Sequence, residues 1–136
     1  MGDLYQDTLL DHHRKPRHFG ELGGTPTVER ENPLCGDVVR LAIDLTDNAI
    51  CDLRFDGHGC ALCIASASLM CCALRDKDTG AARALAANLM SALTAKETPE
   101  LAGLGELACL TTVRDFPMRL KCVTLPWTAV DELLKK

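Results

Sequence analysis

The stretch Asp56-Gly57-His58-Gly59-Cys60, which continues into Ala61–Leu74, organises the rest of this chain. An alternating apolar segment, Ile50–Phe55, precedes it, and small or apolar residues follow it almost without interruption. The sequence therefore predicts a strand, a glycine-rich turn and a buried helix that begins at a cysteine. Free N–H groups at the start of a helix favour the thiolate, which is the form of cysteine that binds metal and attacks sulfur.

Length and charge exclude several classes of function. The chain has 136 residues, which predicts one domain over residues 1–136. Its net charge of −4 gives no reason to expect a nucleic acid or an anionic membrane as a partner. No apolar run is long enough to span a bilayer, and Met1–Leu10 lacks the basic and apolar pattern of a secretory signal. We therefore expect a cytoplasmic protein.

The chain contains eight cysteines, which is many for this length. In a reducing compartment such a number indicates metal or redox chemistry rather than a disulfide framework. Some lie inside apolar patterns, as buried thiols do: Cys51, Cys63, Cys71, Cys72 and Cys109. The others lie beside glycine, proline or charged residues at predicted element edges: Cys35, Cys60 and Cys122.

Hydrophobic periodicity predicts a small sheet and several helices. The predicted strands are Val38–Leu45, Ile50–Phe55 and a segment near Thr25–Glu29, with Thr46-Asp47-Asn48 as a hairpin turn. The predicted helices are Asp3–His13, Cys60–Leu74, Thr79–Leu93 and Cys122–Lys136, and Leu104–Val113 is predicted as a short helix or a helical turn. Pro126 is expected within the first turn or so of the last helix, because a proline further inside would kink it.

A set of three thiols and one carboxyl group is the candidate metal site: Cys35, Asp37, Cys60 and Cys122. Three soft thiolates and a carboxylate are a suitable tetrahedral set for zinc or for an iron–sulfur unit. Gly36 has no Cβ, so the backbone can fold until the side chains on either side of it converge on one ion. Spacing alone leaves open that Cys35 and Cys122 are structural and that Asp37 is only a turn acid.

Helix geometry separates the other thiols near Cys60. Cys71 lies eleven residues further along the chain, which is roughly 16 Å along the helix axis, so it cannot share an ion with Cys60. Cys63 forms a Cys-x-x-Cys motif with Cys60 and is either a buried thiol or a functional one that reaches the same ion or a disulfide. Its apolar surroundings favour the buried thiol.

The histidines are interpreted as ordinary surface residues. His12, His13 and His18 surround Pro16, where we expect a solvated helix end whose cations favour the C-terminal dipole. Metal binding is disfavoured because no cysteine or acid accompanies them at metal-site spacing. His58, in the glycine-rich turn, is a candidate ligand or base only by its position.

Four separated segments carry recognisable motifs. In order these are Asn32-Pro33-Leu34-Cys35-Gly36-Asp37, Gly57-His58-Gly59-Cys60, Ala65-Ser66-Ala67-Ser68 and Lys121-Cys122-Val123-Thr124-Leu125-Pro126-Trp127. Together they resemble the NifU N-terminal/IscU/SufU family of iron–sulfur cluster assembly proteins over nearly the whole chain. The resemblance is strongest to the SufU type, since Lys121 stands where the general scaffold type has a histidine. Gly105-Glu106-Leu107 and Phe116-Pro117-Met118-Arg119 also resemble the SufU insert and its following turn.

The resemblance implies an α+β fold in which a small antiparallel three-stranded sheet is covered on one face by helices, the SufE/NifU-like fold. It also implies a chemistry, because SufU-like proteins bind zinc and accept sulfur from a pyridoxal-phosphate cysteine desulfurase. Carried over to this sequence, Cys35 is the sulfur acceptor, while Asp37, Cys60 and Cys122 keep the ion. Arg119 matches a position near the site, where it can steer the partner or a persulfide.

Three functions follow as hypotheses. The first is a zinc-bound sulfur acceptor, at most a zinc-dependent sulfurtransferase, that takes persulfide sulfur through Cys35 and passes it to downstream assembly or client apoproteins. The second is a non-enzymatic scaffold on which a [2Fe-2S] cluster is assembled on the same residues. The third is a zinc-stabilised structural domain without sulfur traffic.

Particular residues favour one of these hypotheses over another. Lys121, in place of the histidine, favours the acceptor over the scaffold. Asp37 argues against a structural domain, because closed structural zinc sites use all-cysteine or cysteine–histidine sets. Cys35 lies in a loop and can move, whereas Cys60 at a helix start is held, which supports Cys35 as the acceptor. The family usually has a serine at the position of Cys63. The thiol at this position is a fourth sulfur for the ion, a group prone to oxidation or a passive replacement for serine.

Overall fold

The computed structural model describes residues 2–20, 22, 27–33, 36–95, 101 and 103–134, and the side chains from Gln6 onward. Along this part of the chain, one helix is followed by three consecutive strands and then by helices only. The elements are helix α1 Gly2–Arg14, strands β1 Thr27–Asn32, β2 Asp37–Thr46 and β3 Ala49–His58, helices α2 Ala61–Leu74 and α3 Thr79–Thr94, a 3₁₀ helix Gly105–Val113, and helix α4 Pro117–Leu134.

The three strands form one antiparallel sheet in the order β1-β2-β3. A two-residue turn joins β2 to β3, and both of its residues, Asp47 and Asn48, have positive φ angles of 54° and 64°. Such a turn matches the twist of a hairpin, and Asp and Asn tolerate its left-handed backbone. The predicted hairpin turn is therefore confirmed.

A β-bulge at Cys51 interrupts the alternation of β3. Asp44–Leu45 of β2 lies opposite Ile50–Asp52 of β3, so β3 contains one extra residue at this point. Ile50 stays fully buried, whereas Cys51 is exposed. The prediction that Cys51 is a buried thiol is wrong, because the inserted residue shifts its side chain out of the apolar face.

Helices α2 and α4 cover one face of the sheet, and α1, α3 and the 3₁₀ helix pack against these two helices. The strands contribute a continuous apolar surface to this core: Val39, Leu41, Ile43, Leu53 and Phe55. Charged side chains lie on the opposite face, where Arg40 bonds to Asp56 at 2.7 Å. The predicted α+β fold, with a three-stranded sheet covered on one face, is confirmed.

The last helix begins five residues before the predicted start at Cys122. Pro117 is its first residue, a position where the missing N–H has no intrahelical acceptor to lose. Cys122 therefore lies in the second turn of α4 rather than at an element edge, and Pro126 lies inside the helix. The charged residues Arg119 and Lys121 interrupt the apolar pattern, which is why periodicity placed the start too late.

The remaining boundaries agree with the prediction to within a few residues, apart from the strand near Thr25–Glu29. Strand β1 is Thr27–Asn32 instead, while residues 25 and 26 lie outside the described residues. Residues 96–100 and 102, and the end of the last predicted helix, also lie outside them. Among the described helices, none combines the length and the apolar content needed to cross a bilayer.

Candidate metal centre

Three of the four candidate ligands come together where β2 begins and β3 ends. Asp37 is the first residue of β2, Cys60 immediately precedes α2, and Cys122 faces them from α4. One carboxylate oxygen and the two sulfur atoms lie within 4.8 Å of one another. The chain thus brings two thiols and a carboxyl group together from positions far apart in sequence.

The carboxyl group of Asp37 is fully buried and held in one orientation. Its Oδ1 accepts a hydrogen bond of 2.9 Å from the backbone N–H of Cys60. Its Oδ2 lies 4.0 Å from the Cys60 sulfur. One oxygen therefore anchors the side chain to the start of α2, and the other is directed toward the two thiols.

Cys60 occupies the N-cap position of α2, with φ −70° and ψ 165°. Its thiol makes no capping bond to the helix, and the residue is exposed. The predicted cysteine at the start of a buried helix is confirmed.

Cys122 lies deeper than Cys60, with only 4% of its surface exposed. Its sulfur donates a weak hydrogen bond to the carbonyl oxygen of Met118, one turn earlier in α4, at 3.6 Å. The two candidate sulfur ligands therefore differ, because Cys60 is open to solvent and Cys122 is enclosed by the core.

Cys35, the predicted fourth ligand, lies outside the described residues, as does Leu34. The turn around it is described at both ends. The N–H of Gly36 donates to the carbonyl of Asn32 at 2.8 Å, and Gly36 has a φ of +73°. This left-handed backbone favours glycine and leads directly into Asp37.

The spacing of the described donors is close to that of a zinc site. Zinc bonds of about 2.3 Å to sulfur and about 2.0–2.2 Å to oxygen place tetrahedral donors about 3.5–3.8 Å apart. The 4.0 Å between Asp37 Oδ2 and Cys60 Sγ is close to that separation. Two thiols and a carboxylate suit zinc or iron, and a fourth position remains for another ligand. The described donors fit such an ion.

Comparison with known proteins identifies the family. The model of the NifU-like N-terminal domain matches residues 4–123. This chain belongs to the NifU-like N-terminal domain family. The resemblance inferred from the four sequence segments to the NifU/IscU/SufU group of iron–sulfur cluster assembly proteins is thereby confirmed.

Relatives of this NifU-family chain carry two different functional names. It is 38% identical over its full length to the iron–sulfur cluster assembly scaffold protein IscU of Streptococcus pyogenes serotype M1 and covers 86% of that protein. It is 35% identical over its full length to the zinc-dependent sulfurtransferase SufU of Bacillus subtilis strain 168 and covers 92% of it.

A solved structure supports the same assignment. The crystal structure named for a SUF-system iron–sulfur cluster assembly scaffold of Fervidobacterium islandicum AW-1 matches with a TM-score of 0.88 at 29% identity. The match covers 94% of each chain.

The other thiols of the NifU-family chain divide into buried and exposed groups. Cys63 is fully buried inside α2 and lies outside the group of three ligands, in keeping with its apolar surroundings. Cys71 and Cys109 are also buried, and burial raises the pKa of Cys71 strongly and that of Cys109 to about 12. Cys72 is exposed, contrary to prediction, because consecutive residues of a helix point about 100° apart.

The prediction of a solvated histidine cluster is wrong for His12. Only 4% of His12 is exposed, and its Nδ1 lies 2.7 Å from the hydroxyl of Ser68 on α2. Burial, followed by the positive charge of Arg17, lowers the pKa of His12. Burial, with Arg75 beside it, also lowers the pKa of His18. His13 is exposed as expected.

Sequence reasoning missed the contribution of the two serines of α2. The hydroxyl of Ser66 donates to the carbonyl of Val123 at 2.6 Å and accepts from Trp127 Nε1 at 3.0 Å. Ser68 accepts a backbone N–H from Arg17 at 2.9 Å. Buried hydroxyls need partners, so two serines within an apolar helix were the available signal.

The accessory residues Arg119 and Lys121 lie on α4 beside Cys122, and both are exposed. The guanidinium of Arg119 lies 5.2 Å from the centre of the Phe116 ring. Phe116 and Met118 are themselves 51% and 53% exposed. The start of α4 therefore presents apolar and basic side chains near the candidate metal centre.

Proposed function

We propose that this chain is a zinc-bound sulfur acceptor in iron–sulfur cluster assembly and works with a pyridoxal-phosphate cysteine desulfurase. The observation that carries the proposal is the convergence of Asp37, Cys60 and Cys122 within 4.8 Å, next to the segment that contains Cys35. The similarity to SufU, named a zinc-dependent sulfurtransferase, supports it. We further propose that residues 1–136 act as one cytoplasmic domain.

In this proposal Asp37, Cys60 and Cys122 hold the ion together with Cys35. Zinc keeps thiols deprotonated without changing its own oxidation state. The hydrogen bond from the Cys60 N–H fixes Asp37, and the second turn of α4 fixes Cys122. The sequence predicts that Cys35 lies in a loop, so we propose that it is the ligand that leaves most easily.

The acceptor step is a thiol–persulfide exchange. The Cys35 thiolate attacks the outer sulfur of a cysteine persulfide on the desulfurase, and a new S–S bond forms. The S–S bond of the desulfurase breaks, and its cysteine leaves as a thiolate. Cys35 then carries the persulfide, which a second exchange passes to a downstream assembly or client apoprotein. The transferred sulfur keeps its oxidation state, so no further oxidant is needed.

The surroundings of the site suit a protein partner that carries an anionic sulfur. Arg119 and Lys121 supply positive charge at the exposed start of α4, which favours the approach of a persulfide anion. Phe116 and Met118 supply exposed apolar area of the kind enriched at protein interfaces. Lys121 in place of a histidine supports the acceptor function over cluster assembly.

A scaffold that assembles a [2Fe-2S] cluster is the second candidate function. The 38% identity to IscU, named a scaffold protein, favours it. Thiolates and a carboxylate can hold iron as well as zinc. A purely structural zinc domain is less well supported, because Cys60 is exposed and Asp37 is part of the set.

Metal content and a visible spectrum of anaerobically purified protein distinguish these functions. The proposal predicts a colourless protein with one zinc ion per chain, whereas brown protein with iron and sulfide would support the scaffold. Cys35→Ala should then keep the fold but no longer stimulate the desulfurase. Cys51→Ala, which removes an exposed thiol at the bulge, is the matched control and should stimulate fully. Full stimulation by Cys35→Ala would contradict the acceptor assignment.

A further inference from the structure

Gly59 immediately precedes Cys60, and the Asp37 carboxyl group lies where a side chain on Gly59 would begin. We propose that Gly59 is a positioning residue whose missing side chain leaves the space in which the Asp37 carboxylate is held toward the ion. The part of this inference that concerns the ion rests on the proposed metal site. The part that concerns the contact between the two residues rests on geometry alone.

The three atoms nearest to a Cβ on Gly59 all belong to the Asp37 side chain. A Cβ atom built on Gly59 would lie 2.5 Å from Asp37 Oδ1, 3.0 Å from its Cγ and 3.1 Å from its Cβ. The backbone of Gly59 is not among those with a positive φ. Alanine can therefore adopt the backbone conformation at this position, and the obstacle to it is the side chain of Asp37.

Asp37 cannot move aside without losing its orientation. The residue is fully buried, and its Oδ1, the atom nearest the added Cβ, accepts the hydrogen bond from the Cys60 N–H at 2.9 Å. A methyl group at position 59 must displace this oxygen and break that bond. The displacement also moves Oδ2, which lies 4.0 Å from the Cys60 sulfur and is directed toward the ligand group.

Gly57, two residues earlier, has a different role and provides the control. Its φ is +136°, and a Cβ there would lie 2.0 Å from the backbone carbonyl oxygen of Val38. That obstacle is the neighbouring strand itself, so alanine at position 57 disturbs the sheet whatever side chain occupies position 37. Gly57 is therefore required by strand pairing, whereas Gly59 is required by the orientation of the Asp37 carboxyl group.

A double-mutant cycle between positions 59 and 37 tests the inference. The four proteins are the wild type, Gly59→Ala, Asp37→Ala and the double variant. Zinc affinity is measured by competition with a chromophoric chelator, and Tm is measured separately on the zinc-free proteins. Gly59→Ala should weaken zinc binding by about 10–100-fold, the usual effect of disturbing a residue that orients a metal ligand. In the Asp37→Ala background it should cause little further loss.

The zinc-free proteins test the contact without the ion. Gly59→Ala should lower Tm when Asp37 is present, and by clearly less when residue 37 is alanine. Gly57→Ala should lower Tm equally in both backgrounds. A glycine needed only for the fold would give additive effects at position 59, and that result would overturn the inference.

The two parts of the inference can fail separately from the proposed function. Wild-type zinc affinity in Gly59→Ala would contradict the role in positioning the ligand. If the wild type itself binds no zinc, the proposed function fails, while the Tm cycle still decides whether Gly59 makes room for Asp37.

Discussion

Asp37 shows how one carboxyl group can serve both the fold and the candidate metal centre. Oδ1 accepts the Cys60 N–H at the start of α2, where the helix dipole favours a negative charge. Oδ2 lies 4.0 Å from the Cys60 sulfur. Because the residue is fully buried, its charge needs compensation, which a bound cation together with the N–H bond would provide.

The two functions of Asp37 can be separated by changing it to asparagine. Asp37→Asn retains an oxygen that can accept the Cys60 N–H but loses the negative charge. We expect zinc affinity to fall by more than about tenfold, with only a small change in the Tm of the zinc-free protein. Chelator competition and thermal unfolding measure the two effects. Asp44→Asn, an exposed change on the same strand, is the control, and an unchanged zinc affinity in Asp37→Asn would refute the assignment.

Thiol reactivity should follow burial rather than position in an apolar sequence pattern. Burial raises the pKa of Cys109 to about 12 and that of Cys71 strongly, whereas Cys51 is exposed at the bulge. Brief alkylation of the native protein, followed by mass spectrometry, should modify Cys51 and spare the other two, because the thiolate is the reactive form. Modification of Cys71 before global unfolding would contradict the described packing.

At the scale of elements, a buried serine joins α2, which begins directly after Cys60, to α4, which contains Cys122. Ser66 of α2 donates to Val123 and accepts from the indole of Trp127, both on α4. Cys60 precedes the first of these helices and Cys122 lies on the second. The hydrogen bonds of Ser66 therefore help to fix the distance between the two sulfur atoms.

Removal of the Ser66 hydroxyl should destabilise the protein. Ser66→Ala leaves the Trp127 N–H buried without this acceptor, which should lower the free energy of unfolding by about 1–3 kcal/mol. Urea denaturation measures the change, and Ser91→Ala, on an exposed position of α3, is the control. In a Trp127→Phe background the cost of Ser66→Ala should become smaller. An equal cost in both backgrounds would show that the indole is not the partner that matters.

The packing of α1 against α2 should make stability depend on pH through His12. Burial and Arg17 lower the pKa of His12 from its ordinary value of 6.5, so the unfolded chain binds this proton more readily. The contribution of neutral His12 to the free energy of unfolding should therefore be complete above pH 6.5. It should decrease as the pH falls below that value.

Urea unfolding at about pH 7.5 and about pH 5.5 measures this dependence. His12→Gln should lose less stability than the wild type between the two values. His13→Gln, which changes the exposed neighbouring histidine, should behave like the wild type. The same pH dependence in His12→Gln and the wild type would exclude His12 as the responsible group.

Local sequence predicted the helices and strands well, but it did not predict the bulge in β3 or the burial of His12. The hairpin turn at Asp47-Asn48 and the helix after Cys60 follow from local conformational preferences. The bulge at Cys51 could not be predicted, because an inserted residue is defined by pairing with the opposite strand. The burial of His12 likewise depends on Ser68, 56 residues further along the chain. Contacts between residues that are distant in sequence do not alter the local hydrophobic periodicity.

At the scale of the whole molecule, the sheet and its helical cover bring distant residues to one place. The start of β2, the start of α2 and the second turn of α4 meet at one end of the sheet. Periodicity predicted small strands and helices but not this convergence. Residue type and spacing proposed the ligand set but left structural roles open for its members, and the resemblance to one family favoured the complete set. Cys35 remains a predicted ligand outside the described residues.

X-ray absorption spectroscopy at the zinc edge of the zinc-loaded protein tests the central claim most directly. The account predicts three sulfur neighbours at about 2.3 Å and one oxygen at about 2.0–2.2 Å. In Asp37→Ala the three sulfur neighbours should remain, and the oxygen should be replaced by water or lost. A wild-type spectrum with four sulfur neighbours, or with the multiple scattering of imidazole ligands, would contradict a site built from Cys35, Asp37, Cys60 and Cys122.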